Sequence, residues 1–207
     1  MFFAFDGLDG AGKTTQIGLF CEWLRAAGHD VVTCRDPGST ALGEAVRDIL
    51  LKTDTLAIDL TSEMLLYMAA RAQLVAEVIR PALDAGRTVV SDRYLLSNVV
   101  YQGHAGGLDP ETLWSIGRTA TGGLTPTLTF VLDIPPEVAG QRMQRELDRM
   151  ESRGEAYRAA LRKGFLSEAT RRPGEIVLVD ASRSIEAVQA NLRAAATPCL
   201  TASIAKR

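Results

Sequence analysis

The sequence has little cysteine and no long apolar run, and each shortage excludes a class of protein. Cys21, Cys34 and Cys199 are odd in number and lack the spacing of metal ligands, so we interpret them as reduced thiols of a cytoplasmic protein. No apolar stretch approaches the length needed to span a bilayer. The first residues also lack the basic start and apolar core of a signal peptide, since Asp6 interrupts them almost at once. We therefore expect no membrane partner.

An excess of charge of one sign is missing as well. Lysine and arginine number 23 against 25 aspartates and glutamates, and the net charge of −2 gives no reason to expect a nucleic-acid polymer as partner. Hydrophobic residues make up 46% of the chain and charged residues 23%, which is ordinary for a soluble globular protein. A length of 207 residues favours one sizeable α/β domain, which we place over residues 1–207.

The most informative stretch is a glycine-rich turn between an apolar run and a helical pattern. Residues 7–14 read Gly, four residues, then Gly-Lys-Thr, and residues 2–5 before them are apolar. Backbone N–H groups of such a turn close around phosphate oxygens, and the following helix N-terminus favours negative charge. Lys13 is then expected to reach the outer phosphates, and the Thr14 hydroxyl to bind Mg²⁺. The pattern predicts a nucleotide-phosphate site.

Further apolar runs alternate with helical patterns along the chain, which is typical of a parallel sheet covered by helices on both faces. The expected strands span residues 2–5, 31–34, 88–91, 127–132 and 176–179. Ser62 is predicted to cap a long helix that Pro81 kinks, and Asp109 and Ser184 are predicted to cap later helices. Ligands bind at the carboxyl ends of strands in such sheets, so the glycine-rich turn and the segments that follow the other strands should share one edge.

Polar residues follow the predicted strands at that edge. Asp92 ends an apolar strand, where its carboxylate could reach the magnesium held by Thr14; helix capping or pairing with Arg93 is the alternative. Arg35, Arg47, Arg71 and Arg93 lie near strand ends or on helices that border the edge. Guanidinium groups match phosphate oxygens, so together they suggest a second phosphate ligand, although any single one could be a solvated surface charge.

Residues 5–16, Phe-Asp-Gly-Leu-Asp-Gly-Ala-Gly-Lys-Thr-Thr-Gln, closely resemble the P-loop of thymidylate kinases. Segments 35–38, 66–71, 91–102 and 147–151 agree with that family in order and spacing, so the resemblance covers about residues 2–195. It implies the P-loop kinase fold and transfer of the γ-phosphoryl group of ATP to dTMP, giving dTDP and ADP for dTTP synthesis. It also implies Mg²⁺ as cofactor and a homodimer, for which the helix near residues 62–85 is a candidate contact.

The resemblance assigns the acceptor nucleotide to matching positions. It implies that Tyr67 stacks on the thymine ring, that Arg71 with Asn98 or Ser97 reads the base edge, and that Tyr101 crowds the 2′ position. For Tyr67 and Tyr101, simple packing in the core is the alternative. The full set implied for dTMP is Asp9, Arg35, Pro37, Arg47, Tyr67, Arg71, Arg93, Ser97, Asn98, Tyr101 and Gln102.

The same resemblance assigns ATP to the glycine-rich turn and to one residue far along the chain. The set is Asp9, Gly10, Ala11, Gly12, Lys13, Thr14, Thr15 and Arg142. Asp9 would also contact the 3′-hydroxyl of the acceptor sugar, and Arg93 and Arg47 would hold the acceptor phosphate.

Two departures from the family stand out. The family often has two glycines after the proline near position 37, where this chain has Gly38-Ser39-Thr40, and this could alter the backbone freedom of the turn. Many members have Phe where Tyr67 stands, and the added hydroxyl needs a polar partner or solvent.

The acceptor phosphate is already anionic near neutral pH, so no general base is needed, and His29 and His104 are expected to be surface residues. Catalysis then consists of positioning and charge neutralisation by Lys13, Arg93 and a further arginine. Positions 8–11 contain no arginine, which matches the family class with a lid arginine, and we place a helical lid at about residues 141–155. Arg142, Arg145 and Arg149 share one helical face there, with Arg145 or Arg149 as the catalytic candidate and Arg142 near the adenine or the lid base. The alternative is a solvated helix with surface ion pairs.

The alternatives to a thymidylate kinase are a related kinase, a guanine-nucleotide switch and a non-catalytic structural protein. A kinase for another nucleoside monophosphate would differ only in how the base is read. A guanine-nucleotide switch needs an Asn/Thr-Lys-x-Asp motif after a later strand, whereas residues 51–54 read Leu-Lys-Thr-Asp and precede the third predicted strand. A non-catalytic structural role leaves the arginine-lined edge unexplained.

Overall fold

A computed structural model describes residues 1–52, 56–142 and 154–204. Its five strands form one parallel sheet in the order β2-β3-β1-β4-β5. The strands are β1 (Phe2–Gly7), β2 (Val31–Arg35), β3 (Thr88–Asp92), β4 (Leu128–Asp133) and β5 (Ile176–Asp180). This confirms the predicted α/β fold class and each predicted strand, with ends that differ by one or two residues.

Helices follow the strands and cover the sheet. They are α1 (Lys13–Ala26), α2 (Ala41–Lys52), α3 (Leu60–Leu74), α4 (Arg80–Asp84), α5 (Leu95–Asn98), α6 (Pro110–Thr121), α7 (Pro136–Arg142), α8 (Glu155–Arg171) and α9 (Ile185–Ile204). Two wider π-helical segments join them, Val75–Ile79 between α3 and α4 and Val99–His104 after α5.

Strand β1 shows why the sheet is covered on both faces. Its side chains alternate, so Phe3 and Phe5 enter one core cluster and Phe2 and Ala4 enter another. In the first cluster the Phe5 ring contacts Phe20 of α1 at 5.3 Å between ring centres. The second cluster includes residues of α3 and α6. A strand that is buried on both faces has a continuous apolar sequence, and residues 2–5 are all apolar.

The long helix differs from the prediction at both ends. Ser62 is not its N-cap; Asp59 is, and its carboxylate accepts from the Thr61 N–H at 2.8 Å. Asp59 caps because it lies directly before the first helical residue, whereas Ser62 falls inside the first turn. Near the kink predicted at Pro81, the helix widens into the π-helical segment Val75–Ile79, and Pro81 occupies the first turn of α4.

The other two predicted caps are confirmed. Asp109 accepts from the Thr112 N–H at 2.8 Å with Pro110 as the first residue of α6, and the Ser184 hydroxyl accepts from the Ala187 N–H at 3.3 Å before α9. Among the residues described, we find no helix whose length and apolar character would suit a bilayer.

The prediction for His104 is wrong. Its Nε2 lies 2.8 Å from the fully buried Glu168 carboxylate, which also accepts from the Trp114 indole N–H at 2.9 Å. The imidazole therefore packs between the Val99–His104 segment and α8 instead of facing solvent freely. Sequence reasoning missed this because the glycines around His104 suggested a loop, and nothing local indicates the partner on α8.

The carboxyl ends of the strands meet at one edge, as predicted. In the register of the sheet, Asp92 pairs with both Phe5 and Arg35, so the glycine-rich turn and the ends of β2 and β3 are neighbours. Most of the predicted lid at about residues 141–155 lies outside the described residues, and so do Arg145 and Arg149. Residues 53–55, which include part of the motif compared with guanine-binding proteins, lie outside them too.

Candidate active site

Three adjoining cavities run along the carboxyl edge of the sheet. We call them the inner cavity, between α3 and the Val99–His104 segment; the loop cavity, over the glycine-rich turn; and the outer cavity, between α1 and α9. Asp9, Asp36, Arg47 and Arg93 line both the inner and the loop cavity. Gly12, Thr15 and Arg142 line both the loop and the outer cavity. The three therefore form one continuous trough.

Lys13 is buried at the start of α1, directly under the loop cavity. Its ammonium donates to the carbonyl oxygens of Gly7 at 3.1 Å and Leu8 at 2.9 Å and to the Asp9 carboxylate at 3.3 Å. Gly12, which precedes the helix, has φ of 87°, a left-handed conformation that favours glycine. Burial, together with the Arg93 charge, lowers the pKa of Lys13 against the opposing effect of Asp9. The turn thus presents a desolvated cation to the cavity.

Arg93 joins the end of β3 to the glycine-rich turn. Its guanidinium donates to the Asp9 carboxylate at 2.5 Å, to the Gly7 carbonyl at 3.2 Å and to the Ser97 hydroxyl at 3.0 Å. Its backbone is left-handed, with φ of 69°, which is uncommon for a residue with a side chain. Burial works against its charge, but the nearby carboxylates, Asp9 first, outweigh burial and raise its pKa. Burial alone would raise the pKa of Asp9, but the charges of Arg93 and Lys13 outweigh burial and lower it.

Asp6 lies beneath this pair and was not predicted as a site residue. It is fully buried, accepts a hydrogen bond from the Ser97 hydroxyl, and lies 3.7 Å from the Arg93 guanidinium. Its Oδ2 atom has no hydrogen-bond partner among the described residues. Burial raises the pKa of Asp6 to about 7, against the opposing effects of Arg93 and Ser97. Arg93 therefore lies next to a buried carboxyl, that of Asp6, whose pKa is near neutral pH.

Arg71 closes the far end of the inner cavity. The side chain is almost fully buried; its Nε donates to Asp36 at 2.5 Å and one terminal nitrogen donates to the Asn98 side-chain oxygen at 3.0 Å. Burial raises the pKa of Asp36, and the Arg71 charge opposes that shift. A buried guanidinium held in one orientation is a fixed donor for a flat polar ligand.

The turn after β2 contributes two more arginines in different ways. Arg47 donates to the Pro37 carbonyl at 3.0 Å and lines both the inner and the loop cavity. Arg35 is exposed, lines only the loop cavity of the two, and pairs with Glu44 at 2.7 Å. Ser39 adopts φ of 62°, a left-handed conformation that favours glycine, and its N–H donates to Glu44 at 2.7 Å. The turn therefore keeps the left-handed backbone, supported by side-chain hydrogen bonds.

Two tyrosines line the inner cavity. Tyr67 is half-buried on α3, with its side chain on the same face as Arg71 one turn later. Tyr101 donates to the Asp9 carboxylate at 3.3 Å, and the Arg93 guanidinium carbon lies 5.2 Å from its ring centre. The inner cavity thus has an aromatic wall on α3 and a second aromatic ring next to the glycine-rich turn.

Thr14 and Asp92 fit the requirements of a magnesium site. Both line the loop cavity, and the Asp92 Oδ1 atom is buried without a hydrogen-bond partner among the described residues. Hydroxyl and carboxylate oxygens are ligands that Mg²⁺ prefers. Asp92 thus lines the loop cavity with a buried carboxylate oxygen that a cation would satisfy.

Arg142 ends α7 and lines both the loop and the outer cavity. Its guanidinium donates to the Ala181 carbonyl after β5 at 3.2 Å. The outer cavity also contains residues that sequence reasoning missed: Gln16, Ala181, Arg183, Ile185 and Val188. Gln16 could have been found, since it stands one helical turn after Gly12, but the others come from the chain beyond β5.

The structure brings together nearly all of the predicted site residues that it describes. Those assigned to dTMP line the inner cavity except Arg35, which lines the loop cavity. Those assigned to ATP line the loop cavity except Ala11, which lines the outer one. Asp36 and Leu51 also line the inner cavity and were not predicted.

Adjoining cavities over a Gly-x4-Gly-Lys-Thr turn, at the carboxyl edge of a parallel sheet, define the class of protein: this is the arrangement of a P-loop kinase. The family model for thymidylate kinase matches residues 5–192. The chain belongs to the thymidylate kinase family.

Individual relatives agree over most of the chain. It is 46% identical over 189 residues to the thymidylate kinase of Rhodopirellula baltica, which covers 91% of this chain and 77% of that protein. It is 45% identical over 193 residues to the thymidylate kinase of Bifidobacterium longum, covering 92% of this chain and 94% of the relative. A crystal structure of the Ehrlichia chaffeensis thymidylate kinase matches with a TM-score of 0.75 at 27% identity, covering 93% of this chain and 95% of that one.

Proposed function

We propose that this enzyme transfers the γ-phosphoryl group of ATP to the 5′-phosphate of dTMP, giving dTDP and ADP. The observation that carries the proposal is the shared wall of the trough: Asp9, Arg47 and Arg93 border both the inner and the loop cavity. Nucleotides in the two cavities would meet with their phosphates at these residues. The adenine of ATP then occupies the outer cavity, beside Arg142 and Gln16.

The acceptor base would lie in the inner cavity against Tyr67. Arg71 donates to the thymine O4 oxygen, and the Asn98 side-chain oxygen accepts from the thymine N3–H. Tyr101 stands beside Asp9, where a ribose 2′-hydroxyl would compete for space, while Asp9 contacts the 3′-hydroxyl.

The chemical step needs no proton transfer to activate the nucleophile. An oxygen of the dTMP phosphate, already anionic, attacks the γ-phosphorus, and the bond from that phosphorus to the β-phosphate oxygen breaks to release ADP. Lys13 exchanges its contact with Asp9 for the outer phosphate oxygens, and Arg93 with Arg47 holds the acceptor phosphate in line. Catalysis is then positioning plus neutralisation of charge on the transferring group.

Thr14 and Asp92 would hold Mg²⁺ in this proposal. A bound Mg²⁺ supplies positive charge to the phosphate oxygens of ATP. The remaining positive charge is assigned to Arg145 or Arg149 of the lid, since the glycine-rich turn itself carries no arginine.

A panel of acceptors tests the substrate. ADP release is measured at fixed ATP and Mg²⁺ with dTMP, dUMP, UMP, dCMP and GMP, and dTMP should give the highest kcat/KM. A kinase of another nucleoside monophosphate is the competing function, and equal or better turnover of UMP would establish it and remove the role given to Tyr101.

The homodimer, the single-domain organisation with its lid and the cytoplasmic location stay predictions of the sequence. Sedimentation equilibrium of the purified protein checks the first of them. A mass twice that of the 22.3 kDa chain supports the dimer, and a monomer at assay concentrations contradicts it.

A further inference from the structure

A chain of hydrogen bonds runs behind the wall of the inner cavity and reaches Glu63, a buried glutamate to which no role has yet been assigned. Arg71 donates to the Asn98 oxygen at 3.0 Å, the Asn98 nitrogen donates to the Gln102 oxygen at 2.6 Å, and the Gln102 nitrogen donates to Glu63 at 2.8 Å. All four side chains are buried, with exposures of 1–2%. Arg71, Asn98 and Gln102 line the inner cavity, whereas Glu63 is not among the described residues that line it.

The direction of this chain follows from the groups at its two ends. A guanidinium only donates hydrogen bonds and a carboxylate only accepts them, while the amides between can each point either way. With Arg71 at one end and Glu63 at the other, each amide can have only one orientation: its oxygen lies on the Arg71 side and its nitrogen on the Glu63 side. The Asn98 oxygen therefore points toward Arg71, where it can also accept from a ligand, and its nitrogen points away from the base-reading side.

The position of Glu63 on α3 supports a role in the site. Glu63, Tyr67 and Arg71 are spaced four residues apart and so follow one face of the helix. The chain leaves α3 at Glu63, crosses to Gln102 and Asn98 opposite, and returns to α3 at Arg71. It therefore encloses the face on which Tyr67 meets the acceptor base. Desolvating a carboxylate is unfavourable, so placing one behind a ligand cavity needs a compensating interaction, which Gln102 contributes.

We infer that Glu63 is a positioning residue for recognition of the acceptor base: through Gln102 it fixes the Asn98 amide with its oxygen toward Arg71. This inference rests on the proposed function and names a determinant of its specificity. Thymine presents an N3–H donor to that oxygen, whereas the N3 atom of cytosine is an acceptor. Glu63 thus favours dTMP over dCMP without touching either nucleotide.

The first test removes the acceptor while keeping the size of the side chain. Glu63→Met leaves the Gln102 N–H without its buried acceptor, so the orientation of both amides is then set from the Arg71 end alone and is held less strongly. We expect KM for dTMP to rise about tenfold and the ratio of kcat/KM for dTMP over dCMP to fall by about tenfold, while KM for ATP stays within about twofold. Glu63→Gln, whose side-chain oxygen can still accept from Gln102, should recover most of the ratio. An unchanged ratio in Glu63→Met overturns the inference.

Glu168→Gln is the matched control, because Glu168 is an equally buried carboxylate that accepts from His104 and Trp114. It should lower the melting temperature and leave the dTMP to dCMP ratio within about twofold. If it lowers the ratio as much as Glu63→Met does, the effect is a general loosening of the Val99–His104 segment, and Glu63 has no special role.

A reversal of the pair covers the case in which Glu63→Met does not fold. Gln102→Glu alone sets two carboxylates against each other and should lower kcat/KM for dTMP strongly. Combined with Glu63→Gln, the new carboxylate can accept from both the Asn98 and the residue-63 amides, so the orientation of Asn98 is kept. Recovery of kcat/KM by about tenfold over the single variant supports the inference, and no recovery contradicts it. If the wild type phosphorylates dCMP or UMP better than dTMP, the proposed function fails instead, independently of any variant.

Discussion

The Arg93 guanidinium donates to the Asp9 carboxylate at 2.5 Å, which fixes the end of β3 against the glycine-rich turn. In the proposed reaction Asp9 would contact both ATP and the acceptor sugar, and Arg93 would hold the acceptor phosphate. Their contact would then set the distance between the two nucleotides before either binds. Preorganised charge of this kind stabilises a transition state without reorganisation during the reaction.

Loss of the Arg93 guanidinium should lower turnover severely. We expect Arg93→Gln to reduce kcat by about 10²–10³-fold, since one strong positive charge is removed from beside the acceptor phosphate. Arg93→Lys keeps the charge but not the fork that reaches Gly7, Ser97 and Asp9 together, so it should recover only part of the loss. Steady-state kinetics with dTMP measure both variants. Full activity of Arg93→Gln contradicts the assignment.

Arg145 and Arg149, the arginines of the predicted lid, lie outside the described residues, and kinetics can still separate them. We expect Arg145→Ala or Arg149→Ala to lower turnover by several hundredfold or more, comparable to removal of one strong transition-state charge. The other variant should show the smaller effect of a surface residue. Near-normal turnover in both would show that the lid supplies no catalytic charge.

Tyr101 should control discrimination against ribonucleotides. Tyr101→Ala opens space beside Asp9, and we expect the kcat/KM ratio of ribothymidine monophosphate to dTMP to rise by about tenfold or more. Tyr101→Phe is the control, because it keeps the ring and removes only the hydroxyl that donates to Asp9. A ratio that does not change in Tyr101→Ala would mean that the ring only packs against Arg93.

Asp6 gives a prediction about pH and stability. Its pKa is about 7 in the folded protein against an ordinary 3.8, so between these values the folded state binds more protons than the unfolded state. The free energy of unfolding must then fall as pH rises through this range. Asp6→Asn cannot titrate, so the wild type should lose about 2 kcal/mol more than the variant between about pH 5 and pH 8. Denaturant unfolding at the two pH values measures this, and parallel losses contradict it.

Much of the fold and of the site could be read from the sequence because local patterns encode them. The apolar runs gave the strands, and the rule for carboxyl ends of parallel strands brought Arg35, Asp92 and the glycine-rich turn together. The helix start at Asp59 was missed because Ser62 offers an equally good capping side chain, and only the structure shows where the helix begins.

Other parts depend on contacts between distant segments. The spacing of Glu63, Tyr67 and Arg71 is visible in the sequence. Gln102, which donates to Glu63, lies 39 residues further along the chain, in a π-helical segment that no sequence periodicity predicts. Likewise the outer cavity is closed by residues after β5, which carry no motif. The left-handed backbone of Arg93 could not be predicted from its residue type, since that conformation favours glycine.

Product analysis tests the central proposal most directly. The purified protein is incubated with ATP, Mg²⁺ and dTMP, and the nucleotides are separated and quantified over time. We predict that dTDP and ADP form in equal amounts and that ATP consumption stops when dTMP is omitted. ATP consumed without formation of dTDP would contradict transfer to dTMP.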